Sequence, residues 1–395
     1  MTEKEKLNRV EQCYRSLLAR GRKIDKLFAG NPNECGFHFP PQIIARAYAD
    51  YFSSPKYRPD PKGLRAAREA IARYYGDHSA VVDPSNIMLT SGTSESFFWL
   101  FSLLTQPGDE ILTPCPSYPL FYHIAKLAHV RLVPYRLVEE KKWAIDLVDL
   151  RKKTTPRTRA IVLISPHNPT GMVASREELL TLTEWANAKG LALISDEVFS
   201  EFYFGDGDFP RLIFVAKPDL CFTLNGISKM FALPALKLGW IAVSGEKKRV
   251  EQVIDELETT ADTFLSVHTP IQKALPLLFA EGREFVSNYV REVGNRRNLC
   301  LDILSSSPDI KIISPAGGFY LTAKVTKPLP ISDPKGVPLG EEAFVIRLLD
   351  EESIFVHPGY FYDSEEGIHF VISFLHPEEM LRSSLQKIRT FISRL

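Results

Sequence analysis

From about residue 86 onward the chain alternates short apolar runs with helix-forming stretches, and that alternation restricts the available folds more than any other feature. Residues 86–90 read as a strand, 93–104 as a helix and 110–113 as a strand. Residues 160–164 form a further strand. Ser175-Arg176-Glu177-Glu178 then opens a helix, because a serine followed three residues later by a glutamate suits a reciprocal cap. Residues 191–195 are a strand that runs into Asp196. Short β-branched or apolar runs separated by helices give a mainly parallel sheet covered by helices on both faces, an α/β architecture. Beyond about residue 281 the pattern changes to a long helix, strands at 311–313 and 319–323, a helix at 341–350, a strand at 369–374 and a terminal helix from Pro377. This is a smaller α+β unit, and the N-terminal segment is expected to pack with it. The expected division is 1–50 for an N-terminal arm and part of the small domain, 51–280 for a large domain, and 281–395 for the small C-terminal domain. Thr2 and Glu5 suit a capping box for a first helix reaching about Ala19, and residues 30–41 read as an irregular arm. Residues 324–340, with four prolines, read as a surface excursion.

Length and charge narrow the function classes. A chain of 395 residues can bury a large core. Lys+Arg 48 balances Asp+Glu 48, so no electrostatic footprint for nucleic acid or an anionic membrane is present. The first twenty residues alternate in charge, and no apolar run reaches the length of a membrane span. Five scattered cysteines, without a CxxC pair or metal-ligand spacing, fit a reducing cytoplasm.

The chemistry concentrates at the ends of strand-like runs, where ligands bind in open α/β sheets. In Asn225-Gly226-Ile227-Ser228-Lys229, a lysine follows an apolar run and a small-residue turn. A lysine in such a place can be desolvated, lose its proton and attack a carbonyl to form a Schiff base. Thr90-Ser91-Gly92-Thr93-Ser94 joins a strand end to a helix start, where free amides and the helix dipole suit a phosphate. Ser165-Pro166-His167-Asn168-Pro169-Thr170-Gly171 holds Asn168 between two prolines, and its amide can donate to a phenolate oxygen. Asp196 ends another strand. A carboxylate beneath a pyridine ring keeps the ring nitrogen protonated, which makes the ring an electron sink. Glu197 reads as a structural or subunit-contact residue.

Together and in this order, these segments resemble the class I/II aminotransferases of the aspartate aminotransferase fold, fold type I of the pyridoxal phosphate enzymes. The resemblance extends over nearly the whole chain. It takes in Tyr57 with Gly63-Leu64-Arg65, Tyr118 in Pro116-Ser117-Tyr118-Pro119, Gly317-Gly318-Phe319-Tyr320 and Val356-His357-Pro358-Gly359. It implies pyridoxal 5'-phosphate as cofactor, with Lys229 as its covalent anchor and proton shuttle. Asp196 would pair with the pyridinium nitrogen, Asn168 would bond the ring hydroxyl and Tyr118 would stack on the ring. Ser91, Gly92, Thr93, Ser228 and Lys237 would surround the phosphate. Tyr57 would reach the phosphate of a neighbouring subunit, so a homodimer is expected.

The chain departs from the family pattern at three positions. Lys237 stands where arginine is usual, keeping the charge and losing the forked geometry. Phe199 stands where tyrosine commonly bonds the ring oxygen. Val371, in Val371-Ile372-Ser373-Phe374, occupies the slot of the arginine that clamps the substrate α-carboxylate; His369, Arg58 and Arg347 are the candidate substitutes. The implied activity is a ping-pong transfer of an amino group between an amino donor and an oxo acceptor. The alternatives are another reaction of the same cofactor (β-lyase, decarboxylase or racemase) and a catalytically silent ligand-sensing relative.

Overall fold

The computed structural model describes residues 8–56, 58–78, 81–265, 267–328, 340–364 and 367–395. The first helix, Arg9–Ala19, starts at Asn8, whose side chain accepts from the Glu11 amide at 2.8 Å. The capping pattern expected at residues 2–5 lies outside the described residues, as does most of the proline-rich stretch after residue 328. A two-residue strand, β1 (Asp25–Lys26), follows the helix.

The alternation from residue 86 builds one eight-stranded sheet. Its strands are β2 (Ile87–Thr90), β3 (Glu110–Cys115), β4 (Arg131–Val138), β5 (Ala144–Ile145), β6 (Thr158–Ile164), β7 (Ala192–Asp196), β8 (Leu220–Gly226) and β9 (Gly239–Gly245), in the order β2-β9-β8-β7-β6-β3-β4-β5. The inner pairs are parallel, while β9 runs antiparallel to both β2 and β8. Strands such as Thr158–Ile164 and Leu220–Gly226 are buried almost throughout, as expected of a sheet with helices on both faces. The helix Arg176–Lys189 carries the cap expected from its sequence. Ser175 Oγ accepts from the Glu178 amide and Glu178 accepts from the Ser175 amide, and Gly190, at φ 67°, takes the left-handed conformation that ends it.

A second, antiparallel sheet forms from β10 (Ile310–Ile312), β11 (Tyr320–Val325), β13 (His357–Pro358) and β14 (Ile368–Ser373), ordered β10-β11-β14-β13. A short strand, β12 (Ile354–Phe355), pairs parallel with β1 and ties the N-terminal segment to this unit. Residues 324 and 325, read from the sequence as the start of a surface excursion, instead complete β11. Alternation along β14 sends Phe370, Ile372 and Phe374 into the core of the smaller unit, with Leu321, Phe344 and Phe391. His369, Val371 and Ser373 therefore face the other way, towards the larger sheet.

Candidate active site

The strand register brings the sequence-expected residues to one rim. Thr90 lies opposite Gly239, Gly239 opposite Gly226, Leu224 opposite Asp196, and Asp196 opposite Ile164. The carboxyl ends of β2, β8, β7 and β6 therefore open on the same side, which is where such sheets bind ligands.

Lys229 lies on the four-residue helix Ile227–Met230 that continues β8. A Cβ on Gly226 would stand 2.9 Å from Leu238 O and 3.0 Å from Gly239 Cα, so only glycine lets β9 pass this closely behind the lysine. Lys229 Nζ donates to Gly30 O at 3.1 Å. Burial lowers its pKa from 10.5 to about 8, which brings the neutral, nucleophilic amine within reach near neutrality. Gly30 belongs to the arm read as irregular, and no sequence signal links it to a lysine 199 positions away.

Asp196 is buried at the end of β7, with one carboxylate oxygen accepting from the Val198 amide at 3.1 Å. Burial pushes its pKa up to about 7; the Val198 hydrogen bond opposes this, and the neighbouring Glu197 adds to it. Among the described residues no cationic side chain pairs with this carboxyl, which suits a ligand that brings a positive charge. Glu197 is structural, as anticipated. It pairs with Arg211 at 2.5 Å in a buried contact, and Arg211 also donates to Tyr74 Oη at 2.7 Å.

Asn168 sits in a turn where the Ser165–Pro166 and Asn168–Pro169 bonds are cis. Its amide oxygen is buried without a hydrogen-bond partner, an unmet demand that a ligand can satisfy. His167, beneath it, contacts Thr170 Oγ1 at 2.9 Å, and burial lowers its pKa to about 3. Tyr118 follows β3 on the same side, and its phenol is pushed up to about 12 by burial and by Asp196. Phe199 packs edge-on against Phe319, with ring centroids 4.9 Å apart, and Tyr320 lies 6.2 Å away.

At the other end of the rim, the helix Thr93–Leu104 begins after Gly92, whose φ of 140° suits glycine. Its first amides have no intrahelical acceptors, and the Ser91 amide donates to Glu95 at 2.6 Å. A Cβ on Gly92 would stand 3.5 Å from Lys237 Nζ, so the Lys237 ammonium hangs over this helix start. Ser228 is half-buried beside Lys229. The lone carboxyl of Asp196, the depressed lysine and the cationic, amide-lined helix start fit a phosphorylated pyridine aldehyde. Tyr57 lies outside the described residues.

Two of the residues offered as substitutes for the missing arginine are engaged elsewhere. His369 Nε2 lies 3.2 Å from Glu139, and Arg347 bonds Glu351 at 2.9 Å and covers Phe391. Arg58 is exposed. Sequence reasoning assigned no role to Gly30, Tyr320, His357 or Tyr362, although the last three lie in or beside quoted motifs. A separate cleft of about 930 Å³ opens between the helices Arg65–Asp77, Thr269–Glu281 and Arg283–Ser305, and none of Lys229, Asp196 or Asn168 lines it.

The pattern of the family described as aminotransferase class I and II matches residues 26–388. The glutamate-pyruvate aminotransferase AlaA of Escherichia coli K12 is 30% identical over 411 aligned positions, covering 100% of this chain and 99% of that protein. The alanine aminotransferase of Mycobacterium tuberculosis H37Rv is 29% identical, over 97% of this chain and 89% of its own. Among solved structures, the alanine aminotransferase of Pyrococcus furiosus superposes with a TM-score of 0.89 at 26% identity, covering 98% of this chain and 96% of that one.

Proposed function

The chain belongs to the aminotransferase class I and II family and is a transaminase; on that premise, we propose that it moves an amino group between an amino donor and an oxo acceptor by a ping-pong mechanism, with pyridoxal 5'-phosphate held at the rim of the large sheet. The observation that carries the proposal is the position of the half-buried Lys229, its pKa lowered to about 8, on the helix that continues β8 beside the strand ending in Asp196.

When bound, the cofactor supplies an aldehyde for that amine and a conjugated ring able to take up electrons from the substrate Cα–H bond. Lys229 would hold the cofactor covalently and, as a free amine, would move the proton at the substrate Cα. Asp196 would hold a proton on the ring nitrogen, and its carboxyl would so gain the positive neighbour that it lacks among the described residues. The Asn168 amide nitrogen would donate to the ring oxygen, and Tyr118 would cover one ring face. Gly92, Thr93, Ser91, Ser228 and Lys237 surround the phosphate, where a lysine gives a point charge rather than a fork. Phe199 leaves the ring oxygen one hydrogen bond short.

The assembly we propose is a homodimer in which Tyr57 of each copy reaches the phosphate of the other, in a reducing cytoplasmic setting. No helix among the described residues is long and apolar enough to cross a membrane. The division near residue 281 corresponds, in this reading, to two units that meet over the site.

Absorbance spectroscopy tests the reading. The purified protein, loaded with cofactor, is expected to show a visible band that amino donors bleach and that shifts in Lys229→Ala. A protein that cofactor cannot colour, or a band left unchanged by Lys229→Ala, would overturn it.

A further inference from the structure

The wall that the smaller sheet presents to Lys229 is built from neutral groups. Lys229 Nζ is bonded to Gly30 O, and a Cβ on Gly30 would collide with the hydroxyl of Tyr320, so that phenol occupies the space over Gly30. In the strand register Tyr320 lies opposite Ser373, Thr322 opposite Val371, and Val371 opposite His357. Directly opposed residues share a face. Tyr320, Thr322, Val371, Ser373 and His357 therefore form one surface, and Thr322 Oγ1 donates to Pro169 O at 3.1 Å, fixing that surface against the Asn168 turn.

His357 stacks on Phe28, with ring centroids 3.9 Å apart, and its Nδ1 lies 3.0 Å from Tyr362 Oη. The Ser117 amide donates to Tyr362 O at 2.7 Å, which brings this pair beside Tyr118. Burial pushes the phenols of Tyr118, Tyr320 and Tyr362 up and the imidazole of His357 down to about 4, so all four are uncharged at neutral pH. The next pair along the same face, Lys324 and His369, is committed to Glu139 at 3.3 and 3.2 Å.

We propose that this wall selects an amino donor whose reacting carbon carries neutral substituents, an amino alcohol or simple amine, over an amino acid with an ionised α-carboxylate. The inference rests on the aminotransferase reading and names the substrate class of the same site. A carboxylate entering here gives up its hydration and meets hydroxyls and valine, with no cationic side chain on this wall among the described residues. A hydroxyl, which donates and accepts, matches phenols that do the same. In the balanced exchange, a primary amine and an oxo acceptor give the aldehyde or ketone of the donor and the primary amine of the acceptor. The donor's C–N bond breaks and a C=O bond forms, the acceptor undergoes the reverse, and no outside oxidant is needed.

Matched donors test the proposal: phenylalaninol against phenylalanine and alaninol against alanine, each followed by bleaching of the Lys229-dependent band in the loaded protein. Each alcohol is expected to react at least about tenfold faster than its amino acid, the span that one charge-assisted hydrogen bond commands. Val371→Arg is expected to shift that ratio at least about tenfold towards the amino acid. Tyr320→Phe is expected to lower the ratio of alcohol to amino acid reactivity several-fold. Calorimetric titration of each pair into cofactor-loaded Lys229→Ala protein should show the same preference without turnover. Amino acids reacting as fast as the alcohols, reaction with neither, or an unchanged ratio in both variants would overturn the inference while the band keeps the aminotransferase reading intact. A missing band removes that reading, and the inference with it.

Discussion

Replacing Asp196 with asparagine should stabilise the cofactor-free protein while stopping its reaction. Within the chain Asp196 is a buried carboxyl whose pKa rises from 3.8 to about 7, first because burial disfavours its charge. A rise of that size corresponds to about 4 kcal/mol against the ionised form. The folded state therefore binds more protons than the unfolded state between pH 3.8 and about 7, and stability falls as pH rises through that window. Asparagine has nearly the same shape, keeps an acceptor for the Val198 amide and carries no charge. Cofactor-free Asp196→Asn should match the parent near pH 4 and exceed it by about 2–4 kcal/mol at pH 8, the lower figure allowing for water entering an empty site. Urea denaturation of both proteins at several pH values and equal concentration measures the difference, in which other titrating groups largely cancel. With cofactor bound the sign should reverse, because the ring nitrogen then supplies the positive partner, and turnover should fall at least about a hundredfold. A variant no more stable than the parent at pH 8, or a gain of equal size at pH 4 and pH 8, would refute the account of Asp196 as a carboxyl held ready for a cationic ligand.

Arg211→Met should lower stability by about 3–5 kcal/mol in calorimetry, because it leaves the buried Glu197 carboxylate without its 2.5 Å partner. Adding Glu197→Gln to that variant should recover more than half of the loss; no recovery would mean that packing among Tyr74, Tyr75 and Phe209 carries the arginine's contribution instead. The protein should also elute as a dimer, and mixing inactive Lys229→Ala with inactive Tyr57→Ala should restore part of the activity, since one of the two sites in each hybrid is then intact. A fully active monomer would contradict shared sites.

Much of the large unit was legible because its signals are local. The helix Arg176–Lys189 is announced by Ser175 and Glu178, and the helix Thr93–Leu104 by the small residues before it. Lys229, Asp196, Asn168 and Gly92 could be placed at one rim because each ends an apolar run, and the carboxyl ends of parallel strands share an edge. What stayed hidden depends on contacts between distant segments. The reversed direction of β9 follows from its pairing with both β2 and β8, and a run of seven mostly apolar residues carries no sign of direction. The pairing of β1 with β12 involves two residues on each side, too few for a periodic signal. Gly30 reads as one more turn glycine until the lysine is seen bonded to its carbonyl. Tyr320 and Tyr362 carry no role in the sequence until their hydroxyls are followed to Gly30 and His357.

Val371 shows how one ambiguous position is resolved by the direction of its side chain. As a valine in an apolar strand it reads equally well as core filler or as an altered binding residue, since both demand burial. The sheet separates the two. Phe370, Ile372 and Phe374 enter the core of the smaller unit, so the pleat turns Val371 to the opposite face, with Thr322 and His357 as its cross-strand neighbours. Thr322 is hydrogen-bonded to Pro169, one residue beyond Asn168. The valine therefore shares a face with the threonine that is bonded to the Asn168 turn, and the apolar character of that spot bears on what can be bound there. If it were packing alone, Val371→Arg would chiefly destabilise the fold; if it shapes the site, the same change should alter the ratio between charged and neutral donors.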